Sequence, residues 1–204
     1  MEVEKGQKLF AGELLREVGR QMDGAGRLAG GAAAGGKSAS SSQGMKSIGE
    51  FLGYLAAKLP AQVLQNLTAL SVGWDSANYQ LRSAMCALYS HLIHHLVKAE
   101  RAGAEGGEGA AEARDTDAKT REQLCEQLLA RQHDVNSFSS SAAIAAWNFL
   151  AINVAVPLSH HARVTQMAEE RINDKSSNVR KAALRLLGSL IAHNPFGAEL
   201  APGP

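Results

Sequence analysis

Aromatic residues are scarce in this chain, 5% of 204 residues against a hydrophobic content of 45%. Runs of Val, Ile, Thr and Tyr at alternating spacing, the mark of half-buried strands, are missing as well. Together these two absences leave an Ala- and Leu-rich core of closely packed helices, so the expected fold class is all-α. Only two cysteines occur, Cys86 and Cys125, far apart and each inside a helical pattern. That spacing excludes a disulfide framework and predicts two reduced core thiols. No apolar run approaches the ~18 residues that a bilayer-spanning helix requires. The N-terminal string MEVEKGQKLF also lacks the basic-then-apolar layout of a secretory signal. A soluble intracellular chain is expected. Charge of one sign is absent too: 21 basic and 20 acidic residues leave a net charge of +1. No overall field draws the chain to nucleic acid or membrane, and any such contact must be local.

What is present is helical periodicity, interrupted twice by Gly- and Ala-rich stretches. Residues 1–22 read as an N-terminal helix with Leu9, Phe10, Leu14 and Val18 on one side, and 23–44 as a flexible Gly/Ala/Ser linker. Helical repeats are expected over 45–99. Ile48, Leu52, Leu55 and Leu59 mark one helix, Pro60 a break, and Val63, Leu64, Leu67 and Leu70 the next. A turn at Gly73–Ala77 then leads to a helix over Asn78–Lys98, with Leu81, Ala84, Met85, Leu88, Leu92 and Leu96 inward. Residues 100–116 read as a disordered insertion, 117–200 as further repeats and 201–204 as a tail. In the second block Leu124, Cys125, Leu128 and Leu129 form one core face. Phe138, Ala142, Ala145, Ala146, Phe149 and Leu150 form another, and Val164, Met167 and Ala168 a third. The last helix has the widest stripe: Val179, Ala182, Ala183, Leu186, Leu187, Leu190 and Ile191, ended by Asn194-Pro195.

Three polar turns recur. Asp75 stands seven residues before Arg82, Asp134 six before Ser140, and Asp174 six before Arg180. Positions 140 and 180 are 40 residues apart, and 82 and 140 are 58 apart, or about 41 once the insertion of roughly 17 residues at Arg101–Asp117 is discounted. An ordinary antiparallel bundle with coincidental Asp turns is the alternative to a repeat. Helix, Asp turn and aliphatic-Arg helix start resemble a HEAT repeat, so the expected architecture is an α-solenoid of HEAT/armadillo-like repeats carrying two disordered low-complexity insertions. A helix pair of this kind cannot bury its own face, and stacking supplies the core. The resemblance implies a structural ladder of turn aspartates and helix arginines, here Asp134, Asp174, Arg82 and Arg180.

Chemistry-bearing constellations are few. Gly31–Ser38 spells the P-loop pattern, but neither a buried strand before it nor a helix signal after it is present, and the match reads as accidental. His91, His94 and His95 share a helix face without the intervening glutamate of a zinc motif or a fourth ligand, and His160-His161 read as plain surface. Glu169-Glu170 point to different helix faces, and neither cysteine has an activating base beside it. The sequence therefore predicts no catalytic residue, cofactor or metal. Arg163, Arg171, Lys181 and Arg185 are the densest basic cluster and form a possible phosphate-contacting patch.

Three strings carry a narrower resemblance: HDVNSF at His133–Phe138, INDKSSNVRKAALRLLGSLIAHNPF at Ile172–Phe196, and GMKSIGEFLGYLAAKLPAQVL at Gly44–Leu64 followed by DSANYQLRSA at Asp75–Ala84. In order and spacing they are similar to the central HEAT segment of the D-type non-SMC subunits of condensin. The family continues NSF with an aliphatic residue and Arg, where this chain has Ser139-Ser140-Ser141. The resemblance implies a non-enzymatic scaffold that binds the kleisin and SMC subunits, touches chromatin or DNA, and works in mitotic chromosome condensation in the nucleus and on the chromosome. It implies no membrane and no small-molecule substrate. A HEAT adaptor of another class, in transport, phosphatase or cytoskeletal assemblies, is the alternative. Family members run to many hundreds of residues, so the resemblance also implies a fragment, a reduced paralogue or an incomplete gene model.

Overall fold

Residues 12–22, 38–102 and 110–195 are described by a computed structural model of the chain. Among them every regular element is helical, and none of the helices is long and apolar enough to cross a membrane. The fold is an all-α solenoid of HEAT-like repeats. It divides into two compact units, Met1–Leu92 and Ile93–Pro204, with the division inside one long helix rather than at the insertion around residue 100.

In the first unit α1 (12–22) is followed by α2 (Ser38–Lys58), α3 (Pro60–Gln65), α4 (Leu67–Leu70), a 3-10 turn at Ser71–Asp75 and the start of α5 (Tyr79–Ala102). Pro60 opens α3 at a position where its missing N–H is no loss. The single helix expected around Val63–Leu70 is broken at Asn66, whose side-chain amide donates to the Gln62 carbonyl at 2.9 Å. Leu52, Val63, Leu70, Leu81, Met85 and Leu88 are buried, and Trp74 meets Tyr89 edge to face at 4.8 Å. Helices approach closely here because glycine allows it: a Cβ on Gly19 would lie 2.3 Å from the Ala69 carbonyl oxygen.

Helix α2 starts at Ser38, inside the stretch expected to be linker, and the P-loop-like string lies, apart from Ser38, outside the described residues. The insertion expected at 100–116 is shorter as well, since α5 continues to Ala102 and α6 begins at Ala110. Ala, Glu and Arg dominate both ends of that stretch, and these are good helix formers that extend a helix without any buried face.

The second unit holds the remainder of α5, α6 (Ala110–Ala130), a 3-10 turn at Arg131–His133, α7 (Ser137–Ile152), α8 (Leu158–Arg171) and α9 (Ser177–Ala192). Two helix pairs, α6/α7 and α8/α9, are each joined through a polar turn, and α9 packs against both α7 and α8. Leu124, Cys125, Leu128, Leu129, Val164, Met167 and Ala168 are buried, as their spacing predicts. On α7 the inward face is rotated from the expected one. Ser139, Ser140, Ala143, Ile144, Ala146, Trp147 and Leu150 are buried, whereas Phe138 is 54% exposed. The reason is Trp147: the largest fully buried side chain among the described residues sets which side of α7 faces the core.

The stripe of α9 is narrower than its spacing implies. Val179, Ala183, Leu186 and Leu190 are buried, Ala182 and Leu187 are half-buried, and Ile191 is 78% exposed. Leu186→Ala should therefore cost about 2–5 kcal/mol in urea unfolding. Ile191→Ala should stay within about 0.5 kcal/mol. Equal costs would show that α9 is rotated from this placement.

Candidate functional site

Two of the polar turns are built alike. In the α8–α9 turn, Asp174 Oδ1 accepts from the Ser176 N–H at 2.8 Å. Arg180 Nη1 then donates to the carbonyls of Asp174 (2.8 Å) and Lys175 (3.1 Å). The turn before α5 repeats this: Ser76 Oγ accepts from the Asn78 N–H at 3.2 Å, and Arg82 Nη1 donates to the carbonyls of Ser76 (2.6 Å) and Ala77 (3.2 Å). Ser76, not Asp75, is the counterpart of Asp174, and the odd offset of seven becomes the same offset of six. A serine oxygen accepts the same turn N–H that a carboxylate does, which is why the spacing of aspartates alone missed it.

The α6–α7 turn keeps the polar half of this device. Asp134 Oδ1 accepts from the Asn136 N–H at 2.8 Å, and Asn136 Oδ1 caps α7 by accepting from the Phe138 N–H at 2.9 Å. Ser140 stands where the other turns have arginine, and its hydroxyl donates to the Gln132 carbonyl. A different arginine reaches this turn. Arg171, its side chain only 18% exposed, donates from Nη1 to Asp174 Oδ2 at 3.0 Å and from Nη2 to His133 Nδ1. Arg82 and Arg180 thus close their own turns, and Arg171 joins two successive turns. Donation from Arg171 and from the Ser176 amide holds the Asp174 carboxyl below its ordinary range, the amide contributing most.

A second polar cluster ties α6 to α8. His160, read from sequence as plain surface, is completely buried, stacked over Trp147 with ring centres 6.1 Å apart. Its Nε2 lies 3.2 Å from Glu126 Oε1 and 3.5 Å from Glu122 Oε1, and its Nδ1 lies 3.1 Å from Ser159 Oγ. Arg163 pairs with both oxygens of Glu126 and, with help from His160, depresses that carboxyl. Glu122, Glu126 and His160 hold their ligand-type atoms within 4.8 Å of one another. The Arg163 cation already supplies the charge that Glu126 needs. Glutamates one turn apart and a histidine from another helix leave no short motif, so sequence reading had no signal for this cluster.

The remaining candidates separate in the same way. His94 packs edge to face on Phe149 at 5.7 Å, and burial pushes its pKa down. Cys125 is buried and its thiol is pushed up to about 12, mainly by burial, which makes it an inert core residue. Of the four basic residues grouped by sequence, Arg163 and Arg171 are held in ion pairs, while Lys181 and Arg185 stand exposed on α9.

Arg180→Ala leaves two turn carbonyls without their donor and should destabilise the chain by about 1–2 kcal/mol in denaturant melts. A change within about 0.3 kcal/mol, below the usual worth of such a bond, would show that the turn does not depend on it. Asp174 gives a pH prediction. A carboxyl with a depressed folded pKa contributes stability that is fully present above its unfolded value, about 3.9. That stability is lost as pH falls below this value towards the folded one. Thermal melts between pH 5 and pH 2 should therefore show an acid loss that is smaller in Asp174→Asn than in the parent chain, and parallel curves would sink the assignment.

Similarity to known proteins runs along nearly the whole chain. Condensin complex subunit 1 of Homo sapiens is 30% identical over 196 residues, covering 96% of this chain and 12% of that protein. The Xenopus laevis condensin complex subunit 1 is 27% identical over 198 residues, 97% of this chain and 13% of that protein. The condensin-1 complex subunit CAP-D2 of Arabidopsis thaliana is 30% identical over 157 residues, 77% of this chain and 11% of that protein. No protein-family profile matches the chain. The chain spans about an eighth of the length of the curated relatives it matches. Its all-helical repeats with matching turns agree with this similarity, and the chain resembles a segment of condensin complex subunit 1.

Proposed function

We propose that this chain is a scaffold segment of a condensin-type complex, acting in mitotic chromosome condensation by binding kleisin and SMC subunits and chromatin. The observation that carries the reading is the similarity to condensin complex subunit 1 over 96% of the chain. The structure supports a scaffold in kind. Its polar groups are used to close turns and to tie helices together, as with Arg180 on its turn carbonyls and Arg163 on Glu126. In this reading the chain is not an enzyme, and it works at the chromosome in the nucleus. Arg82, Arg180, Asp134 and Asp174 keep successive repeats in register, with Arg171 as the residue that reaches from one turn to the next. Rigid turns matter to a scaffold because each small rotation between repeats accumulates along the stack.

Affinity purification of the tagged protein from mitotic cells tests the proposal. SMC and kleisin subunits should be recovered together with it in near-stoichiometric amounts. Recovery of a transport, phosphatase or cytoskeletal assembly in their place would overturn it.

A further inference from the structure

A cavity of about 470 Å³ opens where the end of α5, α6, the α7–α8 connection and the start of α8 meet. That is the size of a small-ligand site. Val97, Val154, Val156 and Leu158 are its apolar walls, and Arg101 and Arg121 its cations. Arg121 pairs with Glu100, which also lines the cavity, and its Nε is buried with no hydrogen-bond partner among the described residues. Arg101 donates from Nη2 to the Val154 carbonyl at 2.6 Å and has no carboxylate partner among the described residues. The N-terminus of α8 reaches the cavity without a side-chain cap, which leaves its first amides in want of an acceptor. His161, also in the wall, is biased by burial towards its neutral form.

The α7–α8 connection holds one wall under strain. The Ala155 N–H donates to the Leu150 carbonyl at 2.7 Å and the Val154 N–H to the Ala151 carbonyl at 3.0 Å. These are the paired bonds of a helix end that usually takes glycine at its left-handed position. Val154 occupies that position, with φ at 51°, at a steric cost that glycine would avoid. Its side chain forms a wall of the cavity and its carbonyl holds Arg101.

We propose that this cavity binds a carboxylate that carries an apolar group, with the charge on Arg101 and the α8 N-terminus and the apolar part against Val97, Val156 and Leu158. Glu100 answers Arg121, so a single cation is in excess, and one carboxylate balances it. A phosphate ester carries about −1.5 to −2 and would press unbalanced charge against apolar walls. A free acid and the C-terminal residue of a peptide share the chemistry that fits. The site does not depend on the condensin reading.

Proton–nitrogen NMR titration of the chain tests it, with N-acetyl-leucine and, as its uncharged match, N-acetyl-leucinamide. N-acetyl-leucine should shift the Val154, Leu158 and Ser159 amides with a Kd in about the millimolar range of a small fragment. The leucinamide should bind at least about tenfold more weakly, and Arg101→Gln should weaken N-acetyl-leucine to a similar degree. Leu158 is 64% exposed, and an acid in the first turn favours a helix, so Leu158→Asp should melt no lower than the parent chain while losing the ligand. Tighter binding of a short peptide ending in leucine would support a chain terminus as the source of the carboxylate, and equal or weaker binding a free acid. Equal shifts by the leucinamide, shifts confined to amides elsewhere, no shift at about 10 mM, or binding unchanged in Arg101→Gln and Leu158→Asp would each overturn the proposal.

Discussion

An amphipathic helix must have its apolar stripe covered, and α9 meets that constraint by packing across both α7 and α8. Val179, Ala183, Leu186 and Leu190 are buried where α9 meets α7 and α8, and α7 turns Ala143, Ile144, Ala146 and Trp147 to its own buried face. Small residues at Ala143 and Ala183 let helices come close, and one large ring at Trp147 fills what they leave. A core assembled this way needs few aromatics, which is why a chain with 5% of them can still exclude water from its interior.

The turns pose a second problem, because their backbone carbonyls lie outside the helices and, where partly buried, need donors. Arg82 and Arg180 supply them with the same two-carbonyl grip six and five residues back. Ser140 cannot reach as far, so its hydroxyl takes the Gln132 carbonyl and Arg171 enters from the next turn to meet His133. Arg171 does not take over the grip on the turn carbonyls; it meets the His133 side chain and so links this turn to the next.

Charge in this unit accordingly has two fates. Arg163 and Arg171 are held by Glu126 and Asp174, and their effect is felt as depressed carboxylate pKa values and fixed helix positions. Lys181 and Arg185 project from α9 beside exposed leucine and isoleucine side chains. The four had looked like one basic cluster in sequence, and geometry divides them into two internal ties and two exposed cations.

Sequence by itself determined that the chain is all-helical, where the polar turns fall and which family it resembles. Those properties follow from local chemistry: periodicity, proline breaks, and short strings such as HDVNSF. Helix ends were misplaced at Ser38 and around residue 100 because composition that looks like linker is also good helix former. Tertiary structure alone decided that Ser76 does the work expected of Asp75, that His160 is core and Ile191 surface, and that Arg171 is a tie between turns. Spacing along a helix says which residues share a side. Only the neighbour that arrives, here Trp147 of α7 or Glu126 of α6, decides which part of that side is covered and which charge is already answered.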